Sequence, residues 1–145
     1  MTHSSQIRNE WKILKTRSFG YGPQAVIINH ELHIIGGLHH HYHSKFNKET
    51  NKFEILHKMK RKLYYHRCVR INDKVLSFGG QTERRAWKQI LEYDIMSNEW
   101  SKLSIKLPAE TAVTLLGCCS VLKGQFVLLF GGRSNVNKTN NSDVI

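Results

Sequence analysis

Histidine and arginine are the residues of this chain whose types and spacing could do chemistry. His39, His40, His41 and His43 crowd one short stretch. Imidazole titrates near neutrality and ligates transition metals. A metal centre needs several ligands converging at fixed geometry. Neighbours on an extended chain point to opposite faces, so this run cannot aim all its rings at one ion. No cysteine or carboxylate stands at metal-ligand spacing beside it, and no metal or other cofactor is expected. Tyr42 and Cys68 give no sign of an oxidising copper site. The chain has no phosphate-binding loop, no GxSxG and no zinc signature. Its few acids form no pair that would nominate a general acid and base. No catalytic residue is predicted.

Arginine carries the second chemistry. Twenty-two Lys and Arg oppose 11 acids, for a net charge of +11. Arg61, Arg84 and Arg85 stand out among Lys58, Lys60 and Lys62, with Glu83 the nearest acid. Guanidinium groups bind carboxylates through paired, charge-assisted bonds. An acidic protein segment would gain both affinity and faster encounter from such a surface. The plain alternative is that scattered lysines only aid solubility. Nucleic acid is a competitor, because Trp87 lies between Arg85 and Lys88, and Tyr64-Tyr65 follow Arg61 and Lys62. Bases stack on such aromatics, although core packing is the commoner use, and no nucleic-acid module is present.

These residues must be positioned by β-strands. Three apolar runs end in a glycine pair, at Gly36-Gly37, Gly79-Gly80 and Gly131-Gly132. An Asn-x-aromatic marker recurs at Trp11, Phe53 and Trp100. Phe46 and Tyr93 each stand seven positions before the aromatic of their marker. Self-similarity of this kind signals a repeat architecture. Glycine permits positive φ and close approach of other backbone, and aromatics in register suggest sheets stacked face on face. Short apolar segments flank polar turns at 24–29 with 31–35, 66–71 with 74–78, and 117–122 with 125–130. That is the hairpin pattern. No stretch carries a helical period. The whole chain reads as all-β.

The markers together resemble the kelch repeat, across residues 9–145. The glycine pair matches the end of the repeat's second strand, Phe46 and Tyr93 its third-strand aromatic, and Trp11, Phe53 and Trp100 its fourth-strand aromatic. Phe53 and Phe46 depart from the usual Trp and Tyr. Residues 108–114 form an insertion before the third glycine pair. The resemblance implies a kelch-type β-propeller segment of about three four-stranded blades in an incomplete ring. The blades fall near 24–57, 66–107 and 117–145, with a strand at 11–14 completing the last and residues 1–8 as a tail. Propellers usually need about four or more blades, so a piece of a larger ring or self-association to complete one is expected. The resemblance also implies a non-catalytic protein-interaction module, as in ubiquitin-ligase substrate adaptors and scaffolds. Its partner-binding residues would be Arg61, Arg84, Arg85, His39, His40 and His41, in loops of one face. A remnant of a kelch-like enzyme is the remaining alternative.

Composition sets the other limits. At 145 residues the chain can bury a real core. No run of about 18 apolar residues predicts a membrane span, and the first residues lack the apolar centre of a signal peptide. Three cysteines without framework spacing favour a reducing, cytoplasmic setting.

Overall fold

The computed structural model describes residues 19–38, 40–84, 86–108, 118–122 and 126–132, the segment 118–122 as backbone alone. Trp11, the strand expected at 11–14, and most of the insertion at 108–114 lie outside the described residues, as do His39 and Arg85. The described residues form ten strands and no helix. The first sheet runs in sequence order through β1 (Gln24–Ile28), β2 (Glu31–Ile35), β3 (Tyr42–Asn47) and β4 (Lys52–Lys58). The second repeats that order through β5 (Arg67–Ile71), β6 (Lys74–Phe78), β7 (Gln89–Asp94) and β8 (Glu99–Lys106). A hairpin follows, β9 (Cys118–Leu122) and β10 (Phe126–Phe130). Every pairing is antiparallel. The strand pairs expected from the sequence coincide with β1–β2, β5–β6 and β9–β10 to within a residue at each end. The sheets do not close on one another.

Local chemistry explains the meander. Asn29 and His30 join β1 to β2 at φ 50° and 66°. Two successive left-handed residues make the hairpin turn whose twist matches the strands. The β3–β4 and β7–β8 turns share one design. Asn47 Oδ1 accepts from the backbone N–H groups of Glu49 and Thr50. Asp94 Oδ1 does the same for Met96 and Ser97. Each turn then ends on a left-handed asparagine, Asn51 at φ 54° and Asn98 at φ 61°. Asparagine is among the few side chains that tolerate this region, which accounts for the asparagine of the repeated marker.

The sheets stack face to face, β1 against β5 and β5 against β9. Val26, Ile28 and Ile35 of the first sheet meet Val75, Leu91, Tyr93 and Trp100 of the second in one buried cluster. The opposite face of the second sheet carries Phe78 and Ile90, with Val69, Leu76 and Leu103 beside them. These pack against Val127 and Leu129 of β10. Gly36, Gly37 and Gly80 of the first two pairs lie hard against neighbouring chain segments. All six glycines have positive φ. A Cβ on Gly36 would stand 2.5 Å from Leu63 O, and one on Gly80 would stand 2.7 Å from His66 Cβ.

Candidate binding cleft

Two chain segments are laced together at one end of the sheets. The connector from β4 to β5 leaves with Met59, whose N–H donates to His41 O at 2.6 Å. Leu63 O then accepts from Gly37 N at 2.8 Å, and Tyr64 exchanges two backbone bonds with Gln81. The backbone N–H of Trp87 donates to Gly80 O at 2.9 Å. The first two contacts tie the connector to the β2–β3 loop, the Tyr64–Gln81 pair ties it to the β6–β7 loop, and the Trp87 bond closes that loop on itself. Between them lies an open cleft of about 820 Å³, lined by Met59, Lys60, Arg61, Lys62, Glu83 and Arg84, with Trp87, His41 and Thr82 completing the wall.

Its floor is apolar and its rim cationic. Met59 and Trp87 are buried. Arg61 lies over the Trp87 ring, 5.6 Å from its centre, a cation–π contact that orients the guanidinium. Lys62 pairs with Glu83 at 3.4 Å across an exposed surface. The His41 ring stacks on Tyr42 at 4.6 Å. Partial burial, then the charges of Lys58, Lys62 and His40, hold the His41 pKa below its ordinary value. Lys58 and Lys62 beside the ring make a local field that favours anions. His41 Nδ1 and Trp87 Nε1 have no hydrogen-bond partner among the described residues.

Three residues expected from the sequence to act together do meet here: Arg61, Arg84 and His41 line one cleft. His40 stands beside it, its ring 6.3 Å from Tyr42, and its backbone N–H donates back to Gly37 O. Trp87 is packed as a core aromatic and also floors the cleft, a double role that its position between basic residues did not signal. Lys60 was named in the sequence only as one of the basic neighbours of Arg61 and Thr82 not at all; the lacing of the two loops brings both into the cleft.

The histidine run divides by environment. His43 lies in β3, fully buried, and not in a loop with its neighbours. Its Nε2 is 2.8 Å from His33 Nδ1. Its ring meets the edges of Tyr93 and Trp100 at 4.4 and 5.8 Å. His33, in β2, is buried as well. Among the described residues no three His, Cys, Asp or Glu side chains converge as a metal site would require. His66 went unremarked in the sequence and is central to the fold. It precedes β5, fully buried, and links both sheets through Ser77 Oγ at 2.8 Å and Ile35 O at 3.1 Å.

No protein-family model matches the chain, and a search of curated proteins returns no match.

Proposed function

We propose that the chain is a kelch-type propeller segment working as a non-catalytic protein-interaction module, with the basic cleft taking an acidic segment of a partner. The observation that carries this reading is the cleft itself. Lys60, Arg61, Lys62 and Arg84 line it against the single carboxylate of Glu83. The stack of two four-stranded meanders with a glycine pair at each second-strand end supports the kelch reading. Arg61 is held by Trp87 before any ligand arrives, which lowers the ordering cost of binding. Ubiquitin-ligase adaptor and cytoplasmic scaffold are the roles that the resemblance offers. Membrane attachment is not part of the proposal; no described helix is long and apolar enough to cross a bilayer.

The test uses a fluorescent peptide carrying consecutive glutamates as probe. Reversing both arginines, Arg61→Glu with Arg84→Glu, should abolish capture and leave the far-UV spectrum unchanged. Capture that survives the double reversal removes the cleft from the proposal. Sequence-blind binding to single-stranded RNA, steeply weakened by salt, would instead favour the nucleic-acid reading. The structure lends that reading little support, since Trp87 is only 8% exposed and Arg61 already lies over its ring.

A further inference from the structure

The sheets stack with a constant direction. The first sheet offers the face of Val26, Ile28, Ile35 and His43 to the face of Val75, Leu91, Tyr93 and Trp100 on the second. The second sheet offers its other face, with Leu76 and Phe78, to Val127 and Leu129 of the hairpin. In the repeat, Val127 occupies the position of Val75, and Leu128 that of Leu76. Each unit therefore receives its predecessor on one face and presents the opposite face to its successor. Two faces remain without a counterpart among the described residues.

The first is the receiving face of the first sheet. Its register places Ile27, Leu32, Ile34, Phe46, Phe53 and Ile55 together. The equivalent of Leu32 is Val75, at 0% exposure, and the equivalents of Phe46 and Phe53 are Tyr93 and Trp100, at 4% and 6%. Leu32, Phe46 and Phe53 are only half-buried, Phe53 with the help of Phe19 at 4.8 Å. Ile27 and Ile55 are 58% and 46% exposed. The second sheet carries Arg70 and Lys102 at those two positions, so the first sheet's face is the more apolar of the two although it is less covered. The second free face belongs to β10. Strand alternation puts Phe126, Leu128 and Phe130 opposite Val127 and Leu129, and Phe126 is 58% exposed.

We propose that these two faces bind each other between copies, so that the β10 face of one chain covers the receiving face of the first sheet of another. One chain carries both halves of a contact that it already makes twice within itself, which is why a second copy is the occupant. Such a head-to-tail contact joins unlike surfaces and closes into a ring only when the rotation permits. Large apolar patches on a monomer mark interaction sites.

Solution mass, measured by light scattering over a concentration series, tests this. The full chain should rise above its monomer mass of 16.9 kDa. Ile27→Arg with Ile55→Lys should return it to the monomer mass, and so should Phe126→Lys. Both variants place a basic residue where the second sheet already has one, Arg70, Lys102 or Lys74, so both should fold. Mixing the two variants should restore a two-copy species, because one intact pair of faces survives. A wild-type chain that stays monomeric throughout overturns the proposal. So does a Phe126→Lys variant that associates like wild type, since the free face would then be covered by something other than β10. Glutamate-peptide capture at the cleft should be unchanged in both variants, which keeps this test separate from that of the cleft.

Discussion

At the scale of single residues, the buried histidines decide how the protein answers acid. His66 donates from Nε2 to Ile35 O, a group that can only accept, so its Nδ1 is left to accept from Ser77. Neutral imidazole satisfies both bonds. Burial, aided by Arg67, pushes the His66 pKa down to about 4 against the bond to Ile35 O. Burial, then the neighbouring His33 and His57, lowers that of His43 to about 3. Both folded values lie below the unfolded value of about 6.5. The unfolded chain therefore binds protons first as pH falls. Stability is fully present above pH 6.5 and is lost progressively down to about pH 4 for His66 and about pH 3 for His43. The loss from His66 alone is on the order of 3 kcal/mol, a large share of the roughly 5–15 kcal/mol of a small domain. Urea midpoints measured from pH 7.5 to 4.5 should fall steadily below pH 6.5. A flat profile would mean that neither ring is held neutral.

At the scale of elements, the repeated turns and glycine pairs set the register. Asn51 is exposed and left-handed. Asn51→Gly should leave stability within about 0.5 kcal/mol, whereas Asn51→Val should cost about 1–3 kcal/mol through backbone strain. Equal thermal midpoints for the two variants would show that the turn does not depend on that conformation. Gly36→Ala should cost more, since its Cβ would meet Leu63 O at 2.5 Å, a backbone atom held by Gly37 N–H. A thermal midpoint within a degree or two of wild type would show that the connector gives way freely. These elements were the legible part of the chain. Alternating apolar residues, glycine pairs and Asn-x-aromatic markers are local signals, and they gave the strand pairs nearly to the residue. The partners of His43 and His66 were not legible, because a buried imidazole and a loop imidazole look alike in sequence, whether in a histidine run or alone. Whether a ring is neutral and bonded depends on Tyr93, Ser77 and Ile35, which come from other strands.

At the scale of the whole molecule, charge and shape divide their work. The basic residues were visible in the sequence as a surplus, and loop position nominated Arg61, Arg84 and His41. The cleft was not visible, because its walls come chiefly from the β4–β5 connector and the β6–β7 loop, joined by the paired backbone bonds of Tyr64 and Gln81. The net charge of +11 acts at long range on any acidic partner, while the cleft acts only on contact. Long-range charge governs the association rate and contact geometry the dissociation rate. Lys48, Lys52, Lys102 and Lys106 are exposed and do not line the cleft. Reversing these four to glutamate removes two charge units per site. At low salt it should slow association of the glutamate peptide by about tenfold, within the range of electrostatic steering, and leave dissociation unchanged. Arg61→Ala should do the opposite, speeding dissociation with little effect on association. Stopped-flow fluorescence separates the two rates. If the four remote reversals and the single cleft substitution alter the same rate constant, binding is a property of the overall charge, and the cleft has no special part in it.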